Sequence, residues 1–177
     1  MISWRLQPKE CAILVVDAQE RLVPVLGGHE LFCRKLGILI SGAILLDLPI
    51  FFSEQYPKGL GPTLQGLKSL APNAPVFEKT SFSAGAMGAQ IEARHVLVAG
   101  CETHICVRQT ILEMRHQKKE VVLIGDAVAS RNPIDGECAM AEMRGGGVKI
   151  QTVESILFEL MGDAKHPRFK EISALIR

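Results

Sequence analysis

The sequence lacks the charge and aromatic patterns of proteins that bind nucleic acids or membranes. Its 20 Lys and Arg residues nearly balance 19 Asp and Glu residues, which leaves a net charge of +1, and only 5% of the residues are aromatic. A chain this close to neutral has no broad electrostatic field to attract phosphate backbones or anionic lipids. A basic run with interleaved aromatic residues is also missing. We therefore expect no nucleic-acid partner and no membrane partner.

Long hydrophobic runs are missing as well. The most apolar stretch, around residues 36–48, is interrupted by Gly37, Gly42 and Asp47 and is too short to span a bilayer. Residues 1–5 have neither the apolar core nor the small-residue cleavage site of a secretion signal. The five cysteines are an odd number, which favours free thiols in a reducing compartment over a disulfide framework. These features predict a cytoplasmic protein.

Several motifs of metal, cofactor and serine chemistry do not occur. The five histidines are scattered and form no pair at metal-ligand spacing. Three glycines at residues 145–147 precede a predicted strand instead of a helix, and residues 83–88 carry no dinucleotide fingerprint. The Gly-x-Ser-x-Gly elbow of serine hydrolases is not present. We therefore expect no metal, no cofactor and no serine nucleophile.

What the chain does contain is an alternation of short apolar runs with longer segments of helical periodicity. The apolar runs predict strands at residues 11–16, 50–52, 75–77, 95–100, 120–125 and 148–150. Helical spacing predicts helices at residues 31–46, 103–117, 133–144, 153–161 and 167–176. This pattern indicates a single α/β domain over residues 1–177, with a parallel sheet between two layers of helices. Ligands of such sheets bind beyond the carboxyl ends of the strands.

Three residues near those strand ends are candidates for chemistry. Asp17 closes an otherwise apolar strand, where a carboxylate is costly to bury without a partner. Cys106 lies in the first turn of the helix after the fourth strand, where the helix N-terminus favours a thiolate and free N–H groups can bind an oxyanion. Lys79 follows the third strand, and a lysine beside a thiol and a carboxylate lowers the pKa of the thiol. Each residue also has an ordinary interpretation, as a strand-end cap, a small buried hydrophobe and a surface charge respectively.

Weaker candidates surround these three residues. Five side chains just past strand ends or in adjoining loops are predicted to be either pocket walls or ordinary loop packing: Gln19, Phe52, Gln55, Tyr56 and Phe82. Glu102 flanks Cys106 and is a further candidate for substrate contact. We expect His104 to be a first-turn helix residue and Asp126 to cap a turn.

The residues resemble the motifs of the isochorismatase-like hydrolases, a superfamily of cysteine hydrolases that includes nicotinamidases and carbamoylsarcosine amidases. The resemblance runs from about Cys11 to the C-terminus. It rests on VVDAQ at residues 15–19, on the segment around Lys79 and on GCETHICV at residues 100–107. The chain is most similar to the small isochorismatase-domain-containing proteins, which share EQYPKGLGP at residues 54–62 and an ending like GDAKHPRFK at residues 162–170.

The resemblance implies a three-layer α/β/α fold whose six-stranded, mainly parallel sheet has the strand order 3-2-1-4-5-6. It implies that Cys106 attacks a carbonyl or similar carbon and that Asp17 takes the thiol proton and returns it to the leaving group. It also implies that Lys79 orients the side chains of Cys106 and Asp17 relative to each other. Backbone N–H groups of Glu102 and Cys106 would form the oxyanion hole, and the peptide bond between Cys101 and Glu102 would be cis. A homo-oligomer, dimeric or larger, is implied too.

At two places the sequence differs from the motifs of other superfamily members, and each difference excludes a type of reaction. Metal-dependent nicotinamidases carry an Asp-x-His pair after the second strand, where this chain has Ser53, Glu54 and Gln55, so neither a metal nor nicotinamidase activity is expected. Isochorismatases that cleave a vinyl ether lack the nucleophilic cysteine, so Cys106 argues against that reaction. The prediction is a cysteine hydrolase that cleaves a C–N bond of a small amide or imide. Two alternatives stay open: a non-catalytic binding or scaffold protein, and a flavodoxin-like nucleotide binder suggested only by the sheet architecture.

Overall fold

Six parallel strands form the centre of the protein, as described by a computed structural model for residues 5–177. In chain order the strands are β1 (Cys11–Val16), β2 (Ile50–Gln55), β3 (Val76–Lys79), β4 (His95–Cys101), β5 (Glu120–Ala129) and β6 (Lys149–Gln151). Their order across the sheet is β3-β2-β1-β4-β5-β6, and each strand runs parallel to its neighbours. The predicted fold and strand order are confirmed. The prediction about a leader segment falls largely on residues 1–4, which lie outside the described residues.

Helices connect the strands and cover both faces of the sheet. The α-helices of residues 5–177 are α1 (His29–Leu45), α2 (Pro57–Leu60), α3 (Gln65–Lys68), α4 (Arg108–His116), α5 (Pro133–Gly145), α6 (Val153–Met161) and α7 (Phe169–Ile176). The helix predicted at residues 103–117 differs from expectation, since its first turn, Thr103–Val107, is π-helical. Of the helices in this part of the chain, none is long and apolar enough to cross a bilayer.

The central position of β1 in the sheet explains why its sequence is an unbroken apolar run. All six of its residues are buried, because β1 lies at the centre of the sheet with helices packed on both faces. Ile13 and Val15 belong to a hydrophobic cluster with residues of α1 and α6, whereas Leu14 and Val16 belong to a second cluster with residues of α4 and α5. Successive residues of a strand point to opposite faces, so a single strand contributes to both clusters.

A close approach between β1 and β4 brings their carboxyl ends together. Gly100 pairs with Val16 and adopts a φ of 115°, and a Cβ atom at this position would lie 2.0 Å from the carbonyl oxygen of Val16. Only glycine fits such a contact. The strand order also reverses between β1 and β4, which is where parallel sheets bind ligands. The residues that follow these two strands, Asp17 and the turn containing Cys106, therefore meet at one edge of the sheet.

Candidate active site

Asp17 and Lys79 form a buried ion pair at this carboxyl edge. Lys79 Nζ lies 2.6 Å from Asp17 Oδ2 and 2.8 Å from Gln55 Oε1. It also donates to the backbone carbonyl oxygens of Ser81, at 3.3 Å, and Phe82, at 3.1 Å. The Asp17 side chain is fully buried and that of Lys79 is 9% exposed. Because water solvates neither charge well, each depends on the other for compensation.

Ser53 holds the second oxygen of the Asp17 carboxylate. Its hydroxyl donates to Asp17 Oδ1 at 2.7 Å, and its carbonyl oxygen accepts the backbone N–H of Asp17 at 3.1 Å. With Lys79 on one oxygen and Ser53 on the other, the carboxylate has a fixed orientation. The sequence interpretation did not include Ser53. A polar residue in a buried strand next to β1 was the available signal, since Ser53 pairs with Val16, the residue before Asp17.

Cys106 lies in the turn between β4 and α4. The peptide bond between Cys101 and Glu102 is cis, as expected, and the π-helical turn follows directly. The Cys106 carbonyl oxygen accepts a hydrogen bond from the Thr110 hydroxyl at 2.6 Å. The same hydroxyl oxygen accepts the Ala84 backbone N–H at 2.8 Å, so Thr110 joins the Cys106 turn to the loop after Lys79. Thr110 was also missed, although a threonine four residues after a functional residue is at the spacing for this backbone contact.

The thiol of Cys106 is 5% exposed and protonated at neutral pH. Burial of the thiol, and after it the nearby Asp17 carboxylate, raise the pKa of Cys106 from 9.0 to about 12. The Lys79 ammonium and a backbone hydrogen bond from Glu102 lower this pKa but do not outweigh the first two effects. Lys79 thus lowers the pKa of the thiol, as expected, but burial and Asp17 outweigh this contribution.

The Glu102 side chain faces the loop after β5. Its Oε2 accepts from the Arg131 backbone N–H at 2.9 Å and from Arg131 Nε at 3.1 Å. His104 makes a neighbouring contact, with its Nδ1 2.9 Å from the Ser130 hydroxyl. These two contacts tie the Cys106 turn to residues 130–131. The Glu102 carboxylate is thus engaged within the protein, while its backbone group faces the Cys106 sulfur.

Gln19 and Gln55 are polar links between strand ends. Gln19 is fully buried, and its Nε2 donates to the carbonyl oxygens of Gln55, at 3.0 Å, and Gly61, at 2.6 Å. Its Oε1 accepts the Gln55 backbone N–H at 2.8 Å. Gln55 in turn holds Lys79 and donates from Nε2 to the Thr80 carbonyl oxygen at 2.8 Å. Gln19 therefore positions Gln55, and Gln55 positions Lys79.

Tyr56 and Phe82 lie on the rim of the site, and Phe52 does not. Tyr56 is 54% exposed and Phe82 is 55% exposed, and both contact Lys79 through their backbones, the Tyr56 N–H at 2.8 Å and the Phe82 carbonyl oxygen at 3.1 Å. Phe52 is fully buried in the cluster with α1, with the Lys68 ammonium 5.4 Å from its ring centroid. The structure does not bring Phe52 to the site, because the alternation of β2 turns Ser53 towards Asp17 and sends Phe52 to the opposite face.

Asp126 lies away from the site as a cap of α6. Its Oδ1 accepts the Val153 backbone N–H at 2.7 Å, and its Oδ2 pairs with Lys35 at 3.0 Å. All five cysteines are free thiols. Residues 5–177 contain no group of three His, Cys, Asp or Glu side chains that could hold a metal ion.

Comparisons with known proteins match most of the chain to one family. The family model for the isochorismatase domain matches residues 11–155. Isochorismatase domain-containing protein 1 of Salmo salar is 38% identical over 182 residues, which cover 99% of this chain but only 64% of that protein, so the chain spans less than two thirds of this relative.

Solved structures share the fold. The structure of MAR1 ribonuclease from Caenorhabditis elegans has a TM-score of 0.91 and 34% identity, covering 97% of this chain and 92% of that one. The YcaC gene product of Escherichia coli, described as an octameric hydrolase of unknown specificity, has a TM-score of 0.88 at 22% identity, covering 99% of this chain and 91% of that one. At that identity the YcaC likeness shows the fold alone.

Proposed function

The chain belongs to the isochorismatase family, and from this membership we propose that it is a hydrolase in which Cys106, Asp17 and Lys79 cleave a C–N bond of a small amide or imide. The observation that carries the proposal is the position of the Cys106 thiol beside the buried Asp17 carboxylate, which Lys79 holds at 2.6 Å. A nucleophile with a base within reach, and a third group that orients the base, is the arrangement that covalent catalysis requires.

In the first step the Cys106 sulfur attacks the carbonyl carbon of the substrate. The S–C bond forms as the thiol proton passes to the Asp17 carboxylate, and the carbonyl oxygen becomes an oxyanion. Backbone N–H groups of Glu102 and Cys106 would donate to this oxyanion. The raised pKa of Cys106 favours proton transfer during the attack over a thiolate formed beforehand.

In the second step the tetrahedral intermediate collapses. The C–N bond breaks, the leaving nitrogen takes the proton from Asp17, and the acyl group stays on Cys106 as a thioester. A water molecule then gives a proton to Asp17 and attacks the thioester carbon. The C–S bond breaks, Asp17 returns the proton to the sulfur, and a carboxylic acid leaves. Lys79 orients the carboxylate throughout, because its Nζ stays bonded to one of the oxygens.

The burial of the site limits the size of the substrate. Cys106 is 5% exposed, so only a small acyl group can reach its sulfur. Gln55, Tyr56 and Phe82 all contact Lys79 and are the residues we propose to contact substrate. Gln19 acts through Gln55, and Phe52 is no longer part of the proposal.

A panel of small carboxamides and imides tests the reaction through release of ammonia or amine. We expect wild type to turn over at least one member, and Cys106→Ala to lower the rate by about 10³-fold or more. Cys138→Ala is the matched control, since Cys138 is an exposed thiol outside the site. Intact mass spectrometry of the reacting enzyme should show an acyl adduct on wild type and on Cys138→Ala only.

Two other outcomes would overturn the proposal. Failure of the whole panel, with no acyl adduct on Cys106, would favour the non-catalytic binding or scaffold protein. The panel also includes single-stranded RNA, because a structural relative bears the name ribonuclease. Cleavage of RNA that Cys106→Ala abolishes, without any amide turnover, would assign phosphodiester chemistry instead.

We further propose that residues 1–177 act as one domain and that the chain forms a homo-oligomer. The octameric state described for the YcaC product, which has the same fold, supports this second point. Light scattering after gel filtration at micromolar concentration should give a mass of two or more chains, and the mass of a single chain would contradict it. A cytoplasmic location and independence of a cofactor stay predictions.

A further inference from the structure

A second cleft opens at the edge of the sheet opposite Cys106. It has a volume of about 680 Å³ and lies at the amino ends of β4, β5 and β6. The 3₁₀ turn Pro8–Glu10 and the end of α4 form its walls. Strand β4 runs from His95 in this cleft to Cys101 beside the candidate active site, and its seven residues span about 20 Å. The two sites are therefore separate.

Positive charge is concentrated in this cleft. Six basic side chains line it: Arg5, Lys9, Arg94, Arg115, Lys119 and Lys149. Two carboxylates, Glu10 and Glu120, oppose them, which leaves a net charge of +4 in the lining. Because the whole chain carries only +1, the remaining residues together carry −3. The cleft is therefore basic even though the net charge of the whole chain is close to zero, and composition alone does not show this.

Structural contacts account for three of these cations, and one of the three is compensated, since Lys149 Nζ pairs with Glu159 Oε1 at 3.3 Å. Arg115 donates to the Gly146 carbonyl oxygen at 2.6 Å, and Lys119 donates to the Ala93 carbonyl oxygen at 3.3 Å. A backbone carbonyl carries no net charge, so both side chains keep their full positive charge in the cleft.

Arg94 and Lys9 have no comparable structural duty. Both are exposed, and neither side chain makes a hydrogen bond or an ion pair with another residue in the range 5–177. His95, between them and Glu120, has its pKa lowered by burial and then by Arg94, whereas Glu120 and Glu10 raise this pKa and Lys149 lowers it. A neutral imidazole beside charged guanidinium groups is suited to donating a hydrogen bond to an anion.

We propose that this cleft binds a small anion bearing phosphate groups, such as the pyrophosphate of a nucleotide-sized ligand. The guanidinium group presents paired N–H donors that match phosphate oxygens. The volume is in the range of small-ligand pockets, about 300–1,000 Å³. A diphosphate carries several negative charges and therefore compensates the basic excess of the lining better than a monocarboxylate does.

Calorimetric titration of inorganic pyrophosphate into the full-length chain tests this site. We expect saturable binding at low salt that weakens steeply as salt is added. Arg94→Gln should weaken binding by about tenfold or more, because it removes a charge-assisted donor. Lys165→Gln, which removes an exposed charge outside the cleft, is the matched control and should leave the affinity within about twofold of wild type.

A variant that removes a negative charge from the cleft gives a second test, with an effect in the opposite direction. Glu120→Gln removes a carboxylate from the cleft and should tighten pyrophosphate binding, whereas Glu137→Gln, an equal charge change elsewhere on the surface, should not. Cys106→Ala should bind pyrophosphate like wild type, so this test is independent of the proposed hydrolase activity.

The proposal is overturned if pyrophosphate binding is not saturable, or if Arg94→Gln and Lys165→Gln bind it equally. It is also overturned if a short RNA binds with the same dependence on Arg94 while pyrophosphate does not bind. That result would assign the cleft to nucleic acid.

Discussion

Replacing Lys79 with methionine probes the buried ion pair most sharply, because methionine keeps the length of the side chain and removes its charge. The Asp17 carboxylate would then stay fully buried without the counter-charge of Lys79, since Ser53 and the nearby Cys106 thiol are neutral. Losing one partner of a buried pair costs about 3–5 kcal/mol. At about 2–4 °C per kcal/mol for a chain of this length, the melting temperature should fall by roughly 6–20 °C.

Urea unfolding of four proteins measures this effect: wild type, Lys79→Met, Asp17→Asn and the double variant. The double variant should be more stable than Lys79→Met by about 1 kcal/mol or more, because the uncompensated charge is gone. Lys58→Met, an exposed lysine in the neighbouring loop, is the control and should change the free energy of unfolding by about 0.5 kcal/mol or less. A cost below about 1 kcal/mol for Lys79→Met, or a double variant that is no more stable, would refute the reasoning.

Three further predictions concern stability. Thr110→Val should lower the free energy of unfolding in urea by about 1–3 kcal/mol, because it leaves the Ala84 N–H unpaired. Thr110→Ser keeps the hydroxyl and should keep most of the stability. Equal losses in the two variants would contradict the role of the hydroxyl. Gly100→Ala should yield no folded protein by circular dichroism. Gly37→Ala, on an open part of α1, should raise the free energy of unfolding by up to about 1 kcal/mol. A wild-type melting curve for Gly100→Ala would contradict the close approach of Gly100 to β1. The pKa of Cys11 rises in the folded state from 9.0 to about 12, so its contribution is complete below pH 9.0 and is lost as pH rises through about 12. Cys11→Val should therefore flatten the alkaline decline in the free energy of unfolding by up to about 1.4 kcal/mol per pH unit, and equal slopes would contradict the raised pKa.

Local sequence predicts the strands of this protein well, but it places the ends of five of them too early, by the most in β2 and β5. Strands buried on both faces need continuous apolar runs, and all six runs became strands. However, β2 continues to Gln55 and β5 to Ala129, beyond the apolar residues that predicted them. The extra residues are polar or small, and tertiary partners stabilise them in extended structure, such as Asp17 for Ser53 and Gln19 for Gln55. A local pattern contains no information about such partners.

The sequence predicted the features of the candidate site that follow from the order of the strands. It did not predict those that follow from side-chain packing. Asp17, Lys79 and Cys106 all follow strands of one parallel sheet, and the structure brings them to one edge. The side of β2 that faces this edge is decided by register, so the prediction selected Phe52 where the structure uses Ser53. The depth at which the Cys106 thiol is buried was not predictable either, because position at a helix start does not reveal it, and this burial outweighs the effect of Lys79 on the thiol pKa.

The central claim is that the Cys106 thiol is coupled to the Asp17 carboxylate, and its ionisation tests this most directly. The measurement is the ultraviolet absorbance of the thiolate as a function of pH, taken as the difference between each protein and the same protein carrying Cys106→Ala. The account predicts no difference signal in wild type near pH 8.5, where exposed cysteines ionise, and a signal at lower pH in Asp17→Asn than in wild type. A wild-type thiol that titrates near pH 8.5 and does not respond to Asp17→Asn would contradict the account.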